Sequence, residues 1–137
     1  MQVDDRLIED VISIEERAIR LGPLDGQIAG RYWRIGMVHL LGSRTDEAIP
    51  WFEKARAANP SLLVVHAALA SAYGLKREKE RAAAELAEAR RLAGEGSFSS
   101  IAKMRAGAYW AAASPKILGL VEVTYFAGLR KAGMREE

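Results

Sequence analysis

The chain has no cysteine, which removes disulfides, thiolate nucleophiles and cysteine-ligated metals from consideration and fits a reducing compartment. It also lacks long apolar runs, with no stretch approaching the roughly 18 uninterrupted apolar residues that a membrane-spanning helix needs. The N-terminus, MQVDDRLIED, carries acids where a secretory leader would carry a basic segment and then an apolar block. Neither a signal peptide nor a membrane anchor is expected, and the reading is cytoplasmic. Proline is rare, and its four occurrences fall near helix ends or first turns. Strand signals are nearly absent. The β-branched stretch VEVTYF (121–126) has no second strand to pair with and is read as helical.

Charge of one sign is not in excess. Twenty Lys and Arg face eighteen Asp and Glu, and the basic residues are scattered from Arg6 to Arg135, so no face is marked for nucleic acid. The densest run, KREKERAAAELAEARR (76–91), mixes both signs. It places Arg81 and Glu85 at i, i+4 and Glu88 and Arg91 at i, i+3, the pattern of a solvated helix face. A length of 137 residues, half of them apolar, suits one ordinary domain or a few repeating units.

Helical periodicity runs through nearly all of the chain. Asp4 or Asp5 can open a first helix whose apolar positions are Leu7, Ile8, Val11, Ile14, Ala18 and Leu21, with Gly22-Pro23 as its breaker. A second helix is expected over 28–41, with Gly42 as a left-handed residue after its end. Thr45 is the expected N-cap of the next helix, with Asp46 and Glu47 at the positive end of its dipole. Pro50 then falls about one turn in, where it removes a single early backbone bond. Asn59-Pro60 stops that helix, because the residue before proline is pushed out of helical dihedrals. Helices over 62–75 and 78–93 follow, the second without a good capping residue. GEGSFSS (94–100) is a small-residue loop. IAKMRAGAYWAAA (101–113) and, past Ser114-Pro115, KILGLVEVTYFAGLRKAG (116–133) are also read as helices.

An internal repeat decides the fold. Shifting the sequence by 34 residues superposes Tyr32 on His66, Ile35 on Leu69, Gly36 on Ala70, His39 on Tyr73, Ala48 on Ala82, Phe52 on Leu86 and Ala55 on Ala89. Together with the closing Pro60, these positions resemble the tetratricopeptide (TPR) pattern. The resemblance implies an all-α solenoid of antiparallel helix pairs. Small residues stand where the two helices of a pair cross, and large ones fill the hollows between. The chain divides into a partial repeat (4–25), repeats over 29–62 and 63–96, and a C-terminal helical cap (99–133). It departs from the pattern at Tyr32, where Trp is preferred, at His39, where Tyr is preferred, and at Gly94, which replaces the closing proline. The wider wording, from GMVHLLG to AEARRL and again in YFAGLRKAGM, resembles the C-terminal TPR region of bacterial class III adenylate/guanylate cyclases. It also resembles the same module on winged-helix transcription regulators.

That resemblance implies a non-catalytic module for binding proteins or peptides, with any cyclase chemistry in an upstream domain. The acidic pairs Asp4-Asp5 and Asp46-Glu47 are explained as helix N-terminal charge. GEGSFS carries only part of a dinucleotide glycine motif and follows a helix. His39 and His66 occupy core positions with no cysteine nearby. Ser97, Ser99 and Ser100 have no histidine close in sequence. No catalytic residue, metal site or cofactor is expected. In a TPR solenoid the first helix of each pair lines the concave groove, which here gives Trp33, Met37, Leu40, Val64, Ala67 and Ser71. That apolar surface would suit an amphipathic helix from a partner protein, or else be covered by the C-terminal helices around Trp110 and Tyr125-Phe126. Self-association into a homodimer is the further expectation.

Overall fold

The computed structural model describes residues 5–22, 26–94, 96, 98–107 and 113–137. It is all-α, with no strand among the described residues. Helix α1 (Asp5–Leu21) is followed by α2 (Ile28–Leu41), α3 (Thr45–Ala58), α4 (Leu63–Leu75), α5 (Lys79–Ala93) and the short α6 (Ile101–Ala106). A last helical run comprises α7 (Pro115–Val121), a π-helical turn (Glu122–Phe126) and α8 (Ala127–Ala132). Helices α2 and α3 form one hairpin, α4 and α5 a second, and α1 packs on α2 much as α3 packs on α4.

The 34-residue period appears in the backbone as well as in the side chains. Ser43 (φ 62°) and Arg77 (φ 63°), one period apart, are the non-glycine residues with positive φ among those described. Each follows the first helix of a hairpin. Beyond them, Arg44 N–H donates to the His39 carbonyl at 2.8 Å and Glu78 N–H to the Tyr73 carbonyl at 3.0 Å, closing matched helix ends. The left-handed position was expected at Gly42, but Gly42 has φ −85°. The turn needs positive φ one residue later, so a serine and an arginine take the conformation that glycine holds most cheaply.

Small side chains lie where the paired helices cross. Ala48, Ala55, Ala82 and Ala89 are fully buried, as are Phe52, Ile35 and Leu69, and Leu86 is 2% exposed. A methyl group on Gly36 would stand 2.4 Å from the Phe52 ring, so the glycine makes room for the largest side chain of that crossing. Burying a side chain of Phe or Leu size contributes about 1.5–3 kcal/mol, which makes these crossings the main favourable term of each hairpin.

The helix ends differ from expectation in detail. Thr45 is the first residue of α3, not its cap; Arg44 takes the cap position without a side-chain bond. Pro50 remains in the early part of the helix, where it withholds one donor. Asn59 is extended (φ −151°), and its side-chain oxygen accepts from Ser61 N–H at 3.1 Å, so the stop at Asn59-Pro60 is reinforced by a local turn. Helix α6 ends at Ala106 because Gly107 turns extended, short of the helix expected to 113. Residues 108–112, with Trp110, lie outside the described residues, as do Asp4, Pro23 and Ser97. Ser114 caps α7 by accepting from Ile117 N–H at 3.3 Å, and VEVTYF is helical.

Candidate interaction surface

The groove residues predicted from the repeat are not open. Met37 is 6% exposed, and Leu40, Ala67 and Ser71 are fully buried; Trp33 and Val64 are half-buried. The chain's own C-terminal run fills the space. Helix α8 lies chiefly against α4 and also reaches α5, and the π-helical turn touches α4 and α2. An apolar face of this size is stabilised by whatever covers it, and here the cover is intramolecular.

Two glycines set this contact. A methyl group on Gly74 of α4 would sit 2.3 Å from the Gly128 carbonyl oxygen, and one on Gly128 would sit 2.2 Å from the Ser71 carbonyl. The backbones therefore meet almost directly. Ser71 Oγ donates to the Tyr125 carbonyl at 2.8 Å, a buried bond between the two helices. Thr124 Oγ1, in the π-helical turn, donates back to the Leu120 carbonyl of α7 at 2.7 Å. At the solvent edge, Glu122 accepts from Arg105 and, at 3.3 Å, from Arg130, while Arg130 also donates to Glu136 at 2.6 Å. The Arg105 hydrogen bond foremost, and then Arg130, hold the Glu122 carboxyl below its ordinary range. The signal in the sequence was the trio of small residues Ser71, Gly74 and Gly128.

Both histidines are buried, at 8% and 5% exposure. His66 Nε2–H donates to the Pro60 carbonyl at 2.6 Å, and Nδ1 meets Glu85 Oε2 at 2.6 Å. Glu85 also accepts from Arg56. This cluster joins α3, α4 and α5 and leaves no ring nitrogen free for a metal or a substrate proton. Burial works against the charge on Arg56, but the hydrogen bond to Glu85 and the negative charges of Glu85 and Glu53 together outweigh it and raise the guanidinium further above its usual range. The expected pairing of Arg81 with Glu85 is replaced: Arg81 lies beside Glu78 at 3.7 Å. Glu88 pairs with Arg91 as the spacing suggests. His39 Nδ1 has no hydrogen-bond partner and lies 3.8 Å from Glu47. Burial is the main cause of its lowered pKa.

A different face is open. On α1, Glu15 turns toward α2, accepting from Arg34 at 2.8 Å and Arg31 at 3.4 Å. The opposite flank presents Ile14 at 66% and Leu21 at 81% exposure. Spaced seven residues apart, they lie on one side of the helix, continuous with half-buried Val11 and Ala18. Exposed Asp10 and Arg17 border this stripe on the same edge. No helix among the described residues is long and apolar enough to cross a membrane, and no group of three metal-ligating side chains converges among them. No family model, curated protein or solved structure matches the chain.

Proposed function

We propose that the chain is a non-catalytic, cytoplasmic interaction module of tetratricopeptide type that works by self-association through α1. Support for the repeat reading comes from the matched left-handed residues Ser43 and Arg77 and the buried alanines one period apart. The observation that carries the interaction reading is the stripe of Ile14 and Leu21 left bare on α1, while the groove of the repeats is occupied by the chain itself.

A second copy is the occupant that the charge pattern favours. Asp10 and Arg17 stand on one edge of the stripe in opposite halves of the helix. An antiparallel pair of α1 helices brings Asp10 of each copy beside Arg17 of the other, which is the self-complementarity of a two-fold interface. The stripe is short, so the dimer is weak and reversible. In the setting implied by the resemblance to cyclase-linked repeats, such contacts would bring together or regulate attached catalytic domains.

Sedimentation velocity from low to high micromolar concentration tests this. Reversible dimerisation is expected, abolished by Ile14→Glu with Leu21→Glu, weakened by Asp10→Arg, and restored when Asp10→Arg is combined with Arg17→Asp. A chain that stays monomeric at high micromolar concentration overturns the proposal.

A further inference from the structure

Where α5 ends, a cleft of about 550 Å³ opens beside α6 and the C-terminal tail, lined by Arg90, Gly94, Gly96, Phe98, Ser99, Lys103 and Arg135. Its size is within the range of small-ligand sites. Among the described lining residues three are cations and none is an acid, and the three come from separate parts of the chain.

Among the described residues, the carboxylates nearest in sequence to these cations are engaged elsewhere. Arg91 turns away to Glu88, and Arg90 is left on the cleft side. In the tail, Glu136 is drawn off by Arg130 at 2.6 Å, while its neighbour Arg135 faces the cleft. The tail is held there by backbone bonds: Ile101 N–H donates to the Arg135 carbonyl at 3.0 Å and Ala102 N–H to the Glu136 carbonyl at 2.9 Å. No carboxylate among the described residues pairs with Arg90, Lys103 or Arg135, whereas Arg31, Arg34, Arg56, Arg105 and Arg130 all have one. Three like charges around one concavity repel each other, and an anion relieves that repulsion. Ser99 Oγ donates to the Gly96 carbonyl at 2.9 Å, so its proton is already used and the ligand's donors are the three cations. Phe98, 5% exposed, adds apolar surface to the lining.

From this we infer that the cleft is a binding site for a small phosphate-bearing ligand. A phosphomonoester carries up to two charges and three oxygens, enough to engage two guanidinium groups and an ammonium at once. The site is separate from α1 and does not depend on self-association.

The test is isothermal titration of the full chain with inorganic phosphate and with a nucleoside monophosphate, against sodium chloride at matched ionic strength. Saturable one-to-one binding of the phosphates is expected. Combining Arg90→Gln, Lys103→Gln and Arg135→Gln should weaken it by at least about tenfold, since each lost charge-assisted contact contributes on that scale. Lys79→Gln, on the exposed start of α5, should leave it unchanged. Circular-dichroism melting checks folding, and the single Arg135→Gln variant substitutes if the triple variant does not fold. Heats no larger than those of chloride, or unchanged affinity in a folded cleft variant, would overturn the assignment.

Discussion

Tyr32 and Trp51 in the first hairpin stand where His66 and Glu85 stand in the second, one period later, yet the two pairs are held by different physics. The aromatic rings lie 6.0 Å apart, with Lys54 Nζ 4.7 Å from the centre of Trp51. Their counterparts are joined by a 2.6 Å hydrogen bond that extends to Arg56 and the Pro60 carbonyl. The aromatic slot is half-buried, whereas the polar one is nearly sealed and packed on by the preceding hairpin. A similar contrast separates Met37 and Leu40 from Ser71 and Gly74. Where the C-terminal run presses on the second hairpin, large residues are replaced by small ones. The repeat thus fixes which positions meet, and place in the stack decides what chemistry they carry.

The largest effect should come from removing that contrast. Gly74→Ala or Gly128→Ala forces a methyl group into a carbonyl oxygen and should cost about 3 kcal/mol in urea unfolding. Destabilisation below about 0.5 kcal/mol would mean that the helices can separate without penalty.

Next in size is Glu85→Ala, which strands His66 and Arg56 and should cost about 2 kcal/mol. Trp51→Ala, in the matching slot, should lose about 1 kcal/mol through the ring contact. Equal losses would erase the distinction between the two slots.

A pH-dependent difference follows at Tyr73, whose counterpart in the first hairpin is His39. Burial, with the hydrogen bond to Glu53, raises the Tyr73 phenol to about 12. The unfolded chain loses this proton from about pH 10, so the stabilising contribution is complete below that pH and disappears as pH rises toward 12. At His39 the lowered pKa acts in reverse: its contribution is present above about pH 6.5 and is lost below it. Tyr73→Phe should flatten the alkaline limb of the urea midpoint, and His39→Leu the segment just below neutrality.

The smallest effect should be a shared one. Ser43→Gly and Arg77→Gly each relieve a left-handed residue and should stabilise by about 1 kcal/mol. Unequal gains would show that the two turns are alike only in geometry.

The hairpins were legible in the sequence because Ala48, Ala55, Ala82 and Ala89 recur at one period and packing leaves little choice of size there. Ile14 and Leu21 were legible as members of the apolar series of α1 but not as its open flank, because periodicity does not say which apolar residues find cover. The closed groove was legible only as one of two alternatives, cover by the C-terminal helices around Tyr125-Phe126 set against a face open to a partner. Ser71 and Gly74 find their partners more than fifty residues on, at Tyr125 and Gly128, and helical periodicity says nothing about which distant helix arrives. The left-handed turn residue was misplaced by one because Gly42 offered the usual signal while the backbone required it at Ser43. Arg90, Lys103 and Arg135 looked like scattered surface charge because only the folded tail brings them together.

The crossing of Gly74 and Gly128 also makes the seat on α4 selective by backbone thickness. An invading amphipathic helix would have to present a bare α-carbon at the one point where the host's main chain stands, and most such helices carry a side chain there. The chain's own tail meets that demand with Gly128.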